Sequence, residues 1–228
     1  MLVSLGAWCD TAWQIENFTG KQQWGPFNSL GTPLQSIPRL LEERFEFIAD
    51  ERYLEYIVEY FDGKQSTSIF NRRYEVFLHH DFTRDAGNKI PKNWRDELGR
   101  ISARWNFALE KWYAATSKSS DLVFIRGAGN YSVQKMAPLP TMEADYLSTL
   151  DSLRTIWPHA RLATVNPECE IASPELKTAN IRKGGSEDWN NPADYWKGAP
   201  SLWKPFLLTL TEASDAQAVS PIWTESSR

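Results

Sequence analysis

Cysteine is almost missing from this 228-residue chain, which carries only Cys9 and Cys169. Two thiols cannot build a disulfide framework, and they fit a reducing compartment. A basic excess is missing too: 25 Lys+Arg against 29 Asp+Glu leave a net charge of −4. That balance argues against a protein that binds nucleic acid by neutralising phosphates. No apolar run approaches the roughly 18 residues of a membrane span. The opening Met-Leu-Val-Ser-Leu has neither a basic leader nor a signal-peptide core, and the closing Glu-Ser-Ser-Arg carries no lipidation motif. The expectation is a cytoplasmic, soluble protein with no nucleic-acid and no membrane partner. No repeat recurs at solenoid or propeller periods.

Aromatic residues, by contrast, are plentiful: 13% of the chain, with 11 Trp. Six large apolar residues (Trp94, Leu98, Ile101, Trp105, Leu109 and Trp112) recur at three- and four-residue spacing, which predicts a helix over 94–116 with Asn93 as its N-cap. Leu2–Leu5 reads as a buried strand closed by Gly6, followed by a helix that starts near Ala7–Asp10. Residues 34–47 read as an amphipathic helix with Pro38 in its first turn, and 52–60 as a second short helix. After an Asp62-Gly63 turn, Thr67–Phe70 and Tyr74–Leu78 form a hairpin around Asn71-Arg72-Arg73. Strands over 121–126 and 160–165 flank a helix over 142–156.

Strands alternating with helices predict an α/β fold. We expect a single layered domain over residues 1–167, with a short central sheet flanked by helices. Residues 168–228 read as an irregular, Trp-rich C-terminal extension packed on the same domain, with one helix near 202–210.

Two constellations carry chemistry. Ser4-Leu5-Gly6-Ala7-Trp8-Cys9-Asp10 places a thiol just past a glycine turn, at the start of a helix. There the helix dipole favours the thiolate, and free backbone N–H groups are available to an oxyanion. His79-His80-Asp81-Phe82 ends a strand. If that strand lies beside the first, one imidazole meets Cys9 and completes the minimal pair for nucleophilic catalysis. His79, His80, Asp81 and Asp85 are also metal-ligand types, but no Cys-x-x-Cys or His-x-x-x-His spacing accompanies them. Gly127-Ala128-Gly129-Asn130 lacks the phosphate-loop pattern and reads as a loop at a strand end.

Val3-Ser4-Leu5-Gly6-Ala7-Trp8-Cys9-Asp10-Thr11-Ala12 resembles the opening of a bacterial and viral family described as papain-like cysteine peptidases, a domain of otherwise unknown function. Three later blocks follow in the family's order: Pro26-Phe27-Asn28-Ser29-Leu30, Phe77 to Phe82, and Arg100–Leu109 with Val123–Arg126. The likeness spans roughly residues 1–165. It implies Cys9 as nucleophile and His80 as base, with Asp81 or Asn28 as the polar third member. Position 28 is usually Asp in the family, and Ser29 stands where it usually has Trp; an Asn can still orient an imidazole.

The resulting expectation is a thiol-dependent hydrolase or acyltransferase that needs no cofactor and acts on a small-molecule or peptide acyl substrate. The alternative is a non-catalytic module whose aromatic-lined pocket holds a sugar, nucleotide or peptide. A metal-dependent hydrolase built on His79, His80 and Asp81 is a third reading.

Overall fold

The computed structural model describes residues 1–6, 9–22, 25–28, 30–61, 64–78, 80–127, 131–132, 137–181 and 199–217. Its elements form a mixed α/β fold with two four-stranded sheets and five helices among the described residues. The first sheet is parallel. It takes β1 (Leu2–Ser4), β6 (Val123–Arg126), β9 (Arg161–Val165) and β10 (Leu176–Ala179), in that order. The second is antiparallel, in the order β2 (Leu30–Gly31), β5 (Val76–Leu78), β4 (Lys64–Asn71) and β3 (Leu54–Phe61). A two-residue pair, β7 (Tyr131–Ser132) with β8 (Ala137–Pro138), stands apart. The helices are α1 (Cys9–Thr19), α2 (Ile37–Glu42), α3 (Leu98–Thr116), α4 (Glu143–Ile156) and α5 (Pro200–Gln217).

The parallel sheet is covered on both faces, so its strands read as continuous apolar runs. In β6 the side chains alternate. Val123 and Ile125 join Ile15 of α1 and Trp203, Leu207 and Leu210 of α5. Phe124 points the other way, into the larger core built from α2, α3, α4 and the antiparallel sheet. Trp112 of α3 sits at the centre of that core. Its indole meets Phe27, Phe45 and Trp157 edge-on at centroid distances of 6.0, 6.4 and 5.2 Å. Trp94 and Trp105 are also buried there, so the stripe of tryptophans around α3 is packing.

Several expectations are corrected. The single central sheet is two sheets: the helix-linked strands pair in parallel, and the hairpin strands pair with one another. Consequently β5, which leads to His80, lies between β2 and β4 and not beside β1. Residues 52–60 are not a helix, since Leu54–Phe61 is strand β3, laddered along its whole length with β4. The helix predicted over 34–47 is shorter. A 3₁₀ turn over Leu34–Ser36 precedes α2, and Arg44 and Phe45 end it with φ of 49° and 60°. Asn93 does not cap through its oxygen; its amide donates to Asp96 Oδ2 at 3.0 Å. The stretch read as irregular beyond 168 holds β10 as well as α5. The Asp62-Gly63 turn lies outside the described residues.

Candidate functional site

Two glycines shape the start of α1. Gly6 follows β1 with φ +70°, and a Cβ there would lie 2.6 Å from the carbonyl oxygen of Phe27. Only glycine combines that left-handed turn with so close a backbone approach. Gly127, just after β6, lies against the first turn of α1, where a Cβ would collide with Thr11 Oγ1. Its N–H points to the Gly6 carbonyl at 3.4 Å. The C-terminal ends of β1 and β6 are therefore pressed onto the turn that opens with Cys9. In an open α/β sheet this edge is where ligands bind. Asp10 adds a carboxylate in the first turn of α1 and accepts the Thr11 N–H at 2.7 Å.

The second arm comes from the antiparallel sheet. Pro26–Asn28 forms a 3₁₀ turn, closed by the Asn28 N–H on Gly25 O at 3.1 Å, and runs into β2. In the β2–β5 ladder Leu30 faces Leu78 and Gly31 faces Phe77. Two positions beyond Leu30 and Leu78, at the same end of the ladder, come Asn28 and His80. Because Gly6 abuts Phe27, this end of the ladder adjoins the turn before Cys9. His80 is exposed on one side, yet partial burial on the other holds its pKa below the ordinary 6.5; Arg84 acts in the same sense and Asp81 opposes.

Asp81 points away from this edge. It is 2% exposed, and its Oδ1 accepts the indole N–H of Trp105 at 3.0 Å and an ion pair from Arg104. Its backbone carbonyl accepts from Arg100 at 3.2 Å. Burial raises the carboxyl's pKa against the pull of Arg104. Next to it, Phe82 packs edge-on against Trp94 at 5.7 Å. The segment after β5 is thereby pinned to α3. His79 lies outside the described residues. Asp85 closes a loop by accepting the N–H groups of Gly87 and Lys89. Among the described residues, no three His, Cys, Asp or Glu side chains are grouped to hold a metal ion.

Sequence reasoning passed over Arg126. This last residue of β6 is 1% exposed and donates to Leu5 O at 3.1 Å and Thr32 O at 2.8 Å. Burial lowers its pKa to about 10, while Tyr146, Glu168 and Asp10 act to raise it. Tyr146 in turn donates to Glu168 Oε2 at 3.1 Å. The available signal was a charged residue closing an otherwise apolar strand. A cleft of about 490 Å³ opens elsewhere, where the chain enters β6 and β9, lined by Arg44, Tyr113, Ser117, Trp157 and His159.

A family model described as "Putative papain-like cysteine peptidase (DUF1796)" matches residues 1–153. The chain belongs to this family. The match takes in Cys9, Asn28, His80, Asp81 and Arg126, and ends inside α4. The family's last matched residue thus precedes β9, β10 and α5, which complete the parallel sheet and cover one of its faces. No curated protein and no solved structure matches the chain. No helix among the described residues is long and apolar enough to cross a membrane.

Proposed function

We propose that the chain is a thiol-dependent hydrolase or acyltransferase acting on an acyl or amide substrate, with peptides the class that the family's description implies. The observation that carries this reading is the convergence of two arms. Cys9 opens α1 at the C-terminal edge of the parallel sheet, and the Gly6–Phe27 contact joins that turn to the end of the ladder beyond which Asn28 and His80 lie.

In the proposed reaction His80 takes the Cys9 proton, and the thiolate attacks the substrate carbonyl. The positive end of α1 favours both the thiolate and the developing oxyanion, which accepts hydrogen bonds from backbone N–H groups in the helix's first turn. His80 then gives the proton to the leaving amine or alcohol, leaving a thioester on Cys9. Water completes hydrolysis, and another nucleophile completes transfer. Asn28 orients the imidazole. Asp81, committed to Trp105 and Arg104, secures the His80 segment against α3 and stays away from the reacting atoms. No cofactor enters any step.

The two cysteines supply the test. Cys169 is an internal control, because burial and the nearby Glu143 and Glu168 raise its pKa. Iodoacetamide at pH 7, followed by mass spectrometry, should label Cys9 much faster than Cys169, and His80→Ala should remove the difference. Equal, slow labelling of both thiols would overturn the proposal and favour a binding module.

A further inference from the structure

Arg126 buries a guanidinium where β6 ends, next to the turn that precedes Cys9. Taking such a charge out of water is costly, and apolar side chains of similar volume often replace buried ion pairs without loss. Its position shows what the charge is used for. One guanidinium nitrogen donates to Leu5 O, the residue before the Gly6 turn, and the other to Thr32 O, just past β2. The two acceptors directly follow strands of different sheets. Leu5 leads into the helix that opens with Cys9, and β2 pairs with β5, which leads to His80. The carboxylates of Glu168, from the segment after β9, and Asp10, from α1, act to offset its charge.

We propose that Arg126 is a positioning residue whose planar fork sets the spacing between the Cys9 turn and the Asn28–His80 arm. The inference rests on the Cys9–His80 reading above. A guanidinium holds two carbonyls at once in fixed geometry, whereas a lysine ammonium is a single mobile point. Arg126→Lys keeps the charge and loses the span.

The experiment measures iodoacetamide labelling of Cys9 from pH 5.5 to 9 in the wild type, His80→Ala, Arg126→Lys and the double variant, with a thermal melt for each. A thiol of ordinary pKa is only ~3% ionised at pH 7, so loss of His80 should slow labelling about 30-fold. Arg126→Lys should slow it about tenfold or more, with a profile shifted toward the ordinary thiol, and adding His80→Ala should change little. That non-additivity is the mark of positioning, which a stability role alone would not produce. A folded Arg126→Lys that keeps the full His80 effect would overturn the proposal. Arg126→Gln, which retains an amide donor, is the second variant. If neither folds cooperatively, Arg126 is a core requirement only and the positioning role is overturned. If His80→Ala leaves wild-type labelling unchanged, the Cys9–His80 reading fails first, and this inference fails with it.

Discussion

Leu30 pairs with Leu78, and beyond that rung the two segments lead to Asn28 and His80. Two positions outward from that rung, one segment has reached Asn28, the last residue of a 3₁₀ turn, and the other His80. Asp81, the sequence neighbour of His80, is turned into the core instead. In the proposed reaction Asn28 is the residue that would orient the imidazole. Asn28→Ala should slow Cys9 labelling about tenfold without changing the protein's melt. Asn28→Asp should stay fast, and its carboxylate should move the imidazole pKa upward. Labelling rates across pH 5.5–9 check both, and an Asn28→Ala variant as fast as the wild type would count against the role.

His80 makes a pH prediction. Its folded pKa is lowered, first by desolvation, so the fold favours the neutral ring, which is the form a general base needs. In a Cys9→Ala background, where no thiol couples to it, NMR titration should find the imidazole below 6.5. Linkage gives the matching sign for stability: the unfolded chain takes up the proton first as pH falls through 6.5. The contribution of His80 is thus complete above 6.5 and lost as pH drops through the lowered folded value. Melts of Cys9→Ala and Cys9→Ala/His80→Ala should therefore converge or cross as the pH is lowered from 7.5 to 5. A titration above 6.5 would contradict this.

How much of this was legible varies with the physics behind each element. The helix from Trp94 to Thr116 was plain, because a buried face at helical period leaves its mark on every turn. Leu54–Phe61 was misread because Tyr53, Ile57 and Tyr60 also fit helical spacing. Pairing with β4 decided the matter, and Ile57 and Val58 were the local hint. The thiol and the imidazole were visible as residue types in suggestive settings. The arrival of Asn28 and His80 at the same end of the β2–β5 ladder was not, since it depends on pairing between segments about fifty residues apart. Arg126 was invisible for another reason: a charged residue is read as surface until the structure shows its acceptors.

Gly6 and Gly20 separate strain from collision. Both adopt positive φ, +70° and +65°. Gly20 ends α1, its N–H bonded to Glu16 O at 2.8 Å, and a Cβ there would meet nothing within 4 Å. Gly20→Ala should cost about 1 kcal/mol, the ordinary penalty of a left-handed residue. Gly6→Ala adds a clash with the Phe27 carbonyl, which belongs to backbone and cannot swing aside. It should cost about 2–4 kcal/mol and also slow Cys9 labelling, because relief of the clash parts the two arms. Urea unfolding alongside labelling checks both, and equal costs at the two glycines would show that the Gly6–Phe27 approach is loose.

Helix α5 tests whether the chain beyond the family match is integral to the fold. Trp203, Leu207 and Leu210 are buried against Val123, Ile125, Ala163 and Val165, on the face of the parallel sheet shared with Ile15 of α1. Without α5 that face would be open to water behind the strands that carry the Gly6 and Gly127 turns. Trp203→Ala should cost about 3–5 kcal/mol, a large part of the roughly 5–15 kcal/mol typical of a domain. Leu208, on the exposed side of the same helix at 39% accessibility, is the control. Leu208→Ala should stay within about 0.5 kcal/mol of wild type. Truncation after residue 198 should abolish the cooperative transition. A truncated chain that melts cooperatively and still labels Cys9 rapidly would show that residues 1–198 fold alone and that α5 is dispensable to the site.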